Sequence, residues 1–476
     1  MYTISPRERG SVSRDGPWRD GPWRDGPWRD GASRDSTSKD SAPRDSASGD
    51  SEDRASDEDP VMRTRLARSV TTLATAAALV AVSALGASAV QVRKEPDPDG
   101  LRAALLRVTA AGAPGAFAVI RDHAHPGLDR SLAVGEGDLD GTRMRADARF
   151  RVGSNTKMFT AVIVLRLAER GLLDLDRPLS QYLPPGTLPP SWPITARQVL
   201  EHRAGVYDHV NDLLEQSGEE TTAVFEARIR NSVYAPRDLV ARSVRHGPQF
   251  APGSAYAYSN TGFLLLGLAA EHLTGRPYAE LLREEIVRPL GLRRTSFTVP
   301  AKEITGRHIT GYLTNDDPRR PLLDSTEQTA SWIGSAGAIV SSAGDLDRFL
   351  TSLLAGRTGG LVSDDSLRQM TRALPTGVTR IGYGLGLRRI SLSCGAVFGH
   401  GGIVQGYQSQ AFATPDGRRT VVVFANASNN GAVTQGLMDV LDPAFCGGPR
   451  PVRPAAPCHP RLGETHTVAA VEDSRI

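Results

Sequence analysis

The sequence predicts an α+β domain in which one antiparallel sheet joins both ends of the folded chain. A helical pattern over residues 101–110 and a strand pattern over 115–121 open the domain, and helical patterns dominate its middle. Between residues 383 and 426 the hydrophobic period changes to two, which is typical of strands. Strands at both ends with helices between them favour a single sheet that is flanked by helices.

Residues 1–61 precede this domain and differ from it in composition. They are rich in Arg, Asp, Ser and Gly, and they repeat Gly-Pro-Trp-Arg-Asp around Trp18, Trp23 and Trp28. Such a segment has too little apolar surface to offset the entropy lost on ordering, so we expect it to be disordered. Because a signal-like segment begins at Met62, we hypothesise that translation starts there and that residues 1–61 come from an over-extended reading frame.

Residues 62–89 have the three parts of a secretory signal peptide. A basic start over 62–68 is followed by an apolar, Ala-rich stretch over 70–85 and by the small residues Ala87-Ser88-Ala89. The sequence therefore predicts a secreted protein. The alternative is a single-pass anchor with the catalytic domain outside the cytoplasm, although this segment is weakly apolar and only about long enough to span a bilayer.

The domain itself is expected over residues 95–446, followed by a Pro-rich disordered tail over 447–476. A turn at Pro415-Asp416-Gly417 separates the last two predicted strands. The remaining helices are expected at 158–167, 194–200, 263–273, 343–354 and 433–441, and the strands at 383–390, 395–399, 406–414 and 420–426.

Three cysteines occur in the chain, at Cys394, Cys446 and Cys458, and none belongs to a Cys-x-x-Cys pair. The pattern therefore predicts no zinc site. Export to an oxidising compartment permits one disulfide. We pair Cys394 with Cys446, because Cys458 falls in the Pro-rich tail.

Charge and histidine positions exclude some classes of function. The formal net charge of +3 is too small to indicate nucleic-acid binding. His123 and His125 resemble a metal-binding pair, but a Pro-Gly turn follows and no further ligand stands at a metal-site spacing, so a loop is expected. His202 and His209 flank a break at 205–208; either could line a cleft, although hydrogen-bonded loop histidines are the simpler interpretation.

A candidate nucleophile and its activator stand at Ser154 and Lys157, where the apolar run 158–167 begins. Residues three apart share a helix face, and the unpaired amides of a first helical turn favour negative charge developing nearby. We expect the pKa of a lysine confined there to be lowered, so that it can take or relay the serine proton. Lysine is rare in this Arg-rich chain, which argues against an ordinary surface cation. The alternative is that Ser154 merely caps a helix.

A second pair of side chains that can take part in catalysis forms the motif Tyr258-x-Asn260, which precedes the apolar helix at 263–273. Residues two apart on an extended segment project the same way, whereas Tyr256 is expected to pack. Tyr258 could act as a general base beside a lysine charge, and Asn260 could bond Lys157 or a substrate amide.

The third group lies in the strand pattern at 399–406, where glycines indicate a close approach of backbone or ligand. If this edge strand lines the cleft, its amides would pair with an extended substrate. One amide would supply half of an oxyanion hole, with the Ser154 amide as the other half. His400 would bring a second cationic or hydrogen-bonding group.

These groups form three ordered motifs, Ser154-x-x-Lys157, Tyr258-x-Asn260 and His400-Gly401-Gly402. Together they resemble the motifs of the penicillin-recognising serine hydrolases, which include serine β-lactamases and penicillin-binding proteins. The resemblance is strongest to the class C β-lactamases and to the secreted D-alanyl-D-alanine carboxypeptidase/transpeptidase of Streptomyces, and it covers nearly all of residues 98–446. It implies a β-lactamase/transpeptidase-like fold, with an all-helical lobe packed on an α/β lobe and a cleft between them, and it implies neither metal nor cofactor.

The resemblance also implies roles. Ser154 would attack the carbonyl of a D-Ala-D-Ala peptide bond, Lys157 and Tyr258 would move the proton, and the acyl-enzyme would pass to water or to an amine. Arg388 would hold the terminal carboxylate of the substrate, and Trp332 would form a wall of the cleft. The implied partners are a peptidoglycan stem peptide or another small acyl substrate, with β-lactams as covalent inhibitors of a monomer.

The third motif departs from the family pattern. It is usually His-Thr-Gly-Thr or Lys-Thr-Gly, whereas Gly401 and Ile403 replace the two threonines here. The backbone amides around Gly402 survive, but two hydroxyl donors to a substrate carboxylate are lost, at about 1.5–3 kcal/mol for each hydrogen bond. The resemblance as a whole still implies a D-alanyl-D-alanine carboxypeptidase/transpeptidase-like enzyme. It leaves open an esterase, D-amino-acid amidase or β-lactamase with the same nucleophile, or a non-catalytic penicillin-binding module.

Overall fold

The computed structural model describes residues 95–447, except 215–220, 316–318, 320, 357–359 and 429. The predicted disordered segment 1–61, the signal peptide or anchor at 62–89 and nearly all of the predicted tail lie outside the described residues. Within the described ranges, no helix is both long enough and apolar enough to cross a membrane.

The strands lie at the two ends of the domain and frame a helical middle. In chain order they are β1 (Gly115–Asp122), β2 (Arg130–Gly135), β3 (Phe150–Arg151), β4 (Ser296–Phe297), β5 (Tyr312–Thr314), β6 (Leu322–Asp324), β7 (Ile339–Ser341), β8 (Leu374–Pro375), β9 (Ile381–Tyr383), β10 (Arg388–Leu392), β11 (Gly395–Val404), β12 (Tyr407–Ala413), β13 (Arg419–Ala425) and β14 (Ala427–Ser428).

Eight of these strands form one antiparallel sheet in the order β2-β1-β13-β12-β11-β10-β9-β8. β1 from the start of the domain pairs with β13 from its end. The prediction of an α+β domain whose sheet joins both ends is therefore confirmed. Two smaller sheets have three strands each, in the orders β14-β5-β6 and β3-β7-β4.

Most of the helices fall between β3 and β4. In chain order the helices are α1 (Pro98–Ala110), α2 (Thr156–Glu169), α3 (Ala196–Leu200), α4 (His209–Leu214), α5 (Thr221–Val224), α6 (Pro236–Arg245), α7 (Asn260–Thr274), α8 (Tyr278–Leu282), α9 (Arg288–Leu290), α10 (Gly334–Gly337), α11 (Ala343–Leu354), α12 (Asp364–Thr371), α13 (Gly431–Asp439) and α14 (Leu441–Cys446). From α2 to α9 the described residues add no strand to the main sheet, so they form an all-helical lobe.

The sheet is covered on both faces, which explains why its central strands β12 and β13 are buried throughout. All seven residues of β13 are buried. On one face, Phe117 stacks on Phe424 at a centroid distance of 5.0 Å and belongs to the core that surrounds α2. On the other face, Val421 and Val423 pack with α1, α13 and α14. The expected period of two therefore fails in β13, which is apolar from Val421 to Ala425 without alternation, because both of its faces are buried.

Helix α2 is the centre of the larger core. Every residue from 156 to 165 is buried, because the helix is enclosed on all sides. Its neighbours include α7 and α10, which contact it along the helical lobe, and β11 of the main sheet. This position fixes the residues at the start of α2 where the helical lobe meets the sheet.

A disulfide closes the far end of the sheet. Cys394, in the turn between β10 and β11, is bonded to Cys446 at the end of α14, with Cα atoms 5.4 Å apart. This is the pair expected from the sequence, and Cys458 lies outside the described residues. The bond attaches the C-terminal helix to the strand that carries the third motif.

Candidate active site

Ser154 lies in a 3-10 turn, Gly153–Asn155, directly before α2. Its side chain is almost fully buried, at 6% exposure. No side chain caps the start of α2 with a hydrogen bond, so the alternative role of Ser154 as a helix cap is wrong. Gly153 has a φ angle of +53°, a left-handed conformation that favours glycine. The turn therefore presents the Ser154 hydroxyl at the start of the buried helix without using it for capping.

Lys157 is completely buried, and in its ammonium form Nζ donates three hydrogen bonds. The acceptors are Ser154 Oγ at 3.0 Å, Asn260 Oδ1 at 2.6 Å and the carbonyl oxygen of Ala336 at 3.1 Å. A neutral amine could donate two of them and accept the third from the Ser154 hydroxyl. None of these three acceptors carries a formal charge. The predicted pairing of Ser154 with Lys157 on one face is therefore present, whereas the role of the lysine in proton transfer stays a prediction.

Tyr258 and Asn260 come from the segment that begins α7. Ser259 is the N-cap of that helix, and its hydroxyl accepts a bond from the Gly262 amide. This cap places Asn260 in the first turn, buried, while the Tyr258 ring lies with its centroid 4.6 Å from Lys157 Nζ. Tyr258 is only half-buried. The first two motifs thus meet around the lysine amine, with the tyrosine on the more open side.

Asp208 is a buried acid that our sequence interpretation missed. Its Oδ2 atom accepts bonds from the Asn260 side-chain amide at 2.7 Å and from the Asn260 backbone amide at 3.1 Å. Asp208 is 7% exposed. Its only sequence signal is its position at the break 205–208, which we interpreted as the end of a helix.

The third motif lies in the second half of β11, and the edge strand predicted for 399–406 is found beyond residue 399. β10 pairs with β11 over residues 395–399, so β11 is an interior strand there. Beyond residue 399 its pairing within the described residues is with β12 alone. On the other side the turn of Ser154 approaches: a Cβ atom on Gly153 would lie 2.7 Å from the amide nitrogen of Ile403.

His400 is fully buried and makes two specific hydrogen bonds. Nδ1 donates to the carbonyl oxygen of Gly401, which can only accept, so Nε2 is the acceptor for the hydroxyl of Tyr383 at 2.8 Å. Burial holds the pKa of His400 well below its usual value, and the charges of Arg388 and Lys157 act in the same direction. Burial thus favours a neutral, hydrogen-bonding His400 over the cationic alternative.

His202, which we interpreted as a loop histidine, packs behind Tyr258. The two ring centroids are 4.2 Å apart, and His202 Nδ1 accepts a bond from the Ser259 amide at 3.2 Å. Burial holds the pKa of His202 well below its usual value, and the charges of Lys157, His400 and Arg388 add to this effect. A neutral ring therefore supports the tyrosine from within the protein.

Arg388 is a half-buried residue of β10, opposite Gly399 and Tyr383 in the two neighbouring strands. Its charge lowers the pKa values of both His202 and His400. Its role in holding a substrate carboxylate stays a prediction.

The missing threonine at position 401 has a packing explanation. A Cβ atom on Gly401 would lie 2.5 Å from Oε1 of Gln410, its cross-strand neighbour on β12. Gln410 is 4% exposed, and a threonine at position 401 would require the end of this side chain to move. The volume that the family motif assigns to a threonine side chain is thus taken by a glutamine from the adjacent strand.

Trp332 does not form a wall of an open cleft. It is fully buried in the core around α2, and its carbonyl oxygen accepts a bond from His209 Nε2 at 2.7 Å. The expectation fails because the 3-10 turn Ala330–Trp332 directs the indole into the core. The segment that contains Trp332 still contributes to the site, because it continues into α10, whose Ala336 carbonyl oxygen accepts a hydrogen bond from Lys157.

The chemistry available here is that of a buried serine hydroxyl bonded to a lysine amine. Such a pair can form a covalent acyl intermediate when the amine takes the serine proton, and two backbone amides near Ser154 can bind the oxyanion. Among residues 95–447 as described, no group of three or more His, Cys, Asp or Glu side chains could hold a metal ion.

Comparison with known proteins identifies the family. Residues 99–441 match the family model described as beta-lactamase. A D-alanyl-D-alanine-carboxypeptidase/endopeptidase, AmpH of Escherichia coli K12, is 29% identical over 221 residues, which are 45% of this chain and 51% of that protein. A D-aminopeptidase of Cereibacter sphaeroides is 30% identical over 336 residues, 67% of this chain and 59% of that protein.

These matches span only about half to three fifths of the length of both relatives. Among solved structures, a D-stereospecific amidohydrolase from Streptomyces sp. superposes with a TM-score of 0.65 and 34% identity. That match covers 74% of this chain and 100% of the amidohydrolase. With the family match and the α+β fold, it establishes the predicted β-lactamase/transpeptidase-like architecture. The chain belongs to the β-lactamase family and is a serine hydrolase of the group that includes the penicillin-binding proteins.

Proposed function

We propose that this chain is a D-alanyl-D-alanine carboxypeptidase/transpeptidase-like enzyme that acts on cell-wall stem peptides through an acyl-enzyme on Ser154. The observation that carries the proposal is the 3.0 Å contact between Lys157 Nζ and Ser154 Oγ, inside the cluster with Asn260 and beside the Tyr258 ring. A nucleophile and its proton acceptor within hydrogen-bonding distance are the first requirement of acyl transfer.

The proposed reaction has two steps. Ser154 Oγ bonds to the peptide carbonyl carbon, and its proton passes to Lys157, while the amides of Ser154 and Ile403 bind the oxyanion. The carbon–nitrogen bond then breaks, and the leaving D-alanine nitrogen receives the proton by way of Tyr258. In the second step the oxygen of water, or the nitrogen of an amine acceptor in transpeptidation, bonds to the acyl carbon and gives up a proton to the same groups. The bond between that carbon and Ser154 Oγ then breaks, and Oγ regains the proton.

Recognition of the substrate carboxylate is assigned to Arg388. Arg388 lies opposite Gly399 in the register of β10 and β11, next to His400 in the chain, and guanidinium binds carboxylate well. Because His400 is neutral, Arg388 would supply the positive charge on the sheet side of the site. Gly401 and Ile403 add backbone amides here but no hydroxyl groups.

The second candidate is a D-amino-acid amidase, an esterase or a β-lactamase that uses the same nucleophile. The lack of hydroxyl donors at Gly401 and Ile403 favours it, because an amide or ester substrate has no terminal carboxylate to bind. The second candidate is also supported by the names of two similar proteins, the Streptomyces D-stereospecific amidohydrolase and the Cereibacter D-aminopeptidase. A non-catalytic penicillin-binding module is a third candidate, and it alone predicts acylation without turnover.

We also propose that the protein acts outside the cytoplasm, as a monomer, after export by residues 62–89, with a single-pass anchor as the alternative. The Cys394–Cys446 disulfide supports an oxidising compartment. N-terminal sequencing of the protein recovered from medium and from membranes tests this. A mature protein that keeps the repeats around Trp18 would contradict a start at Met62.

One experiment separates the catalytic candidates. The purified protein is incubated with benzylpenicillin, with diacyl-D-Ala-D-Ala, with a D-amino-acid amide and with a small ester, and adducts and products are measured by mass spectrometry. Ser154→Ala is the test variant, and Ser131→Ala, which changes an exposed serine of β2, is the matched control.

A Ser154-dependent adduct together with D-alanine release is the expected result. Release from the amide or ester without D-alanine release would replace the carboxypeptidase with the second candidate. A stable adduct with no turnover of any substrate would favour the binding module. Light scattering of the same sample tests the monomer.

A further inference from the structure

Two consecutive residues, Asp208 and His209, contact the two elements that supply acceptors to Lys157. The acceptors are Asn260 Oδ1, at the start of α7, and the Ala336 carbonyl oxygen, in α10. Asp208 bonds Asn260 directly, and His209 Nε2 donates to the carbonyl oxygen of Trp332, four residues before Ala336. The start of α4 is thus joined to both sides of the lysine site.

Asp208 decides which end of the Asn260 amide faces the lysine. A side-chain amide has one oxygen that accepts and one nitrogen that donates. Because the Asp208 carboxylate accepts the Asn260 Nδ2 bond at 2.7 Å, the nitrogen is held on that side and the oxygen is presented to Lys157 at 2.6 Å. Rotation of the amide by half a turn would put donors against the amine donors of the lysine.

The carboxylate is itself held in place by the backbone. Oδ2 also accepts the Asn260 amide at 3.1 Å, and Oδ1 accepts the Val210 amide at 3.1 Å. The neighbouring His209 accepts a bond from the Thr261 hydroxyl through Nδ1, at 2.8 Å. Residues 208 and 209 therefore bind residues 260 and 261 in parallel, which fixes the start of α7 relative to α4.

We propose that Asp208 is a positioning residue for acylation, which acts on Lys157 through Asn260. The carboxylate orients the Asn260 oxygen and increases its negative partial charge, so the ammonium that forms when Lys157 takes the Ser154 proton is better stabilised. The proposal rests on the proposed acyl-enzyme at Ser154, but not on the identity of the substrate.

The test measures the rate at which a fluorophosphonate labels Ser154. In this reaction Oγ bonds to phosphorus, fluoride leaves and the serine proton passes to the lysine, so no peptide recognition is required. The variants are Asp208→Ala, the isosteric Asp208→Asn, Asn260→Ala and the double variant Asp208→Ala/Asn260→Ala. The matched control is Asp212→Asn, which changes an acid of α4, the helix that begins directly after Asp208; this acid bonds Tyr207 and His246 instead.

We expect labelling to slow by about 100-fold in Asp208→Ala and about 10-fold in Asp208→Asn, as for other groups that assist proton transfer, with Asp212→Asn unchanged. The double variant should label no more slowly than Asn260→Ala, because Asp208 acts only through that amide. Additive losses in the double variant, or wild-type rates in folded Asp208→Asn, would overturn the proposal.

Failure of the proposed carboxypeptidase activity can be distinguished from failure of the proposed role of Asp208. Normal labelling and the expected variant pattern without D-alanine release would reject only the carboxypeptidase activity. Absence of Ser154 labelling in the wild-type protein would overturn this proposal together with the acyl-enzyme. If Asp208→Ala does not fold, as judged by circular dichroism, Asp208→Asn and Asn260→Ala with their combination provide the same test of non-additivity.

Discussion

A Cβ atom on Gly402 would lie 1.9 Å from the carbonyl oxygen of Val152. The same atom would lie 2.7 Å from the side-chain amide nitrogen of Asn155. β11 therefore approaches the turn that carries Ser154 so closely that only a hydrogen atom fits at position 402. This contact aligns the backbone of Ile403 with the nucleophile, and it explains why the motif needs glycine there for reasons of space.

We predict that Gly402→Ala slows acylation of Ser154 by at least about 100-fold, as expected when an oxyanion donor is displaced, and lowers the free energy of unfolding by about 1–3 kcal/mol through overpacking. Stopped-flow acylation and urea unfolding measure the two effects. Gly344→Ala is the matched control, because nothing lies within 4 Å of a Cβ atom at that position of α11. Wild-type acylation in Gly402→Ala would contradict the proposed role of this contact.

The buried histidines predict a pH-dependent stability. Burial lowers the pKa values of His202, His209 and His400, so the folded state excludes protons that the unfolded chain binds below pH about 6.5. Their contribution is complete above that pH and is lost as the pH falls. We expect the free energy of unfolding to drop between pH 6.5 and 5 by up to about 1.4 kcal/mol per pH unit for each histidine.

Urea unfolding at pH 7.5, 6.0 and 5.0 measures this slope. His400→Gln should reduce it by the share of one histidine, whereas His308→Gln, which changes an exposed histidine, should leave it unaltered. A slope that is the same in His400→Gln and in the wild-type protein would contradict the neutral state assigned to His400.

Removal of the disulfide should lower the stability of the fold without slowing acylation of Ser154. Cys394 and Cys446 are 52 residues apart in sequence, so removing the bond is expected to cost about 4 kcal/mol through the entropy of the unfolded chain. The bond lies at the Gly395 end of β11, about 26 Å along the strand from Ile403. Acylation per folded molecule should therefore be unchanged in Cys394→Ser/Cys446→Ser.

Thermal unfolding with and without reductant measures the stability difference, and reductant should have no effect on the double variant. A double variant that keeps wild-type stability would show that another contact holds α14. The hydrogen bonds from Ser393 to Asp442 are the candidates for such a contact.

Much of this fold could be predicted from local pattern, because strand alternation and helix periodicity are short-range properties. The strand run after residue 383 and the pair Ser154–Lys157 are of this kind. Asp208 could not be found in this way, because its role arises from a contact with Asn260 across 52 residues. An acid in a loop gives no sign in the sequence of the amide that it will orient.

The positions of Trp332 and Gly401 likewise depend on contacts with distant parts of the chain. Trp332 was expected at a cleft and is buried, because the direction of its side chain depends on how the 3-10 turn packs against α2. Likewise, the glycine at 401 has no local explanation, since the space is taken by Gln410 from the next strand. Both facts depend on tertiary neighbours, which one sequence does not reveal.

A buried ion pair between Asp122 and Arg419 gives the last prediction. The two residues face each other across β1 and β13, their side chains are 0% and 1% exposed, and Arg419 Nε donates to Asp122 Oδ2 at 2.9 Å. Removing the arginine leaves the buried carboxylate of Asp122 without its countercharge. Arg419→Met should therefore lower the free energy of unfolding by about 3–5 kcal/mol.

Adding Asp122→Asn to Arg419→Met should restore at least half of that loss, because the remaining charge is removed. The asparagine oxygen can still accept the bonds that Asp122 Oδ1 takes from the Ala124 and His125 amides. Urea unfolding of the single and double variants measures the coupling. Arg368→Met, which breaks an exposed ion pair with Asp365, is the control and should cause no measurable change. A double variant that is less stable than Arg419→Met would mean that Asp122 stabilises this end of the sheet through its charge on the backbone amides rather than through Arg419.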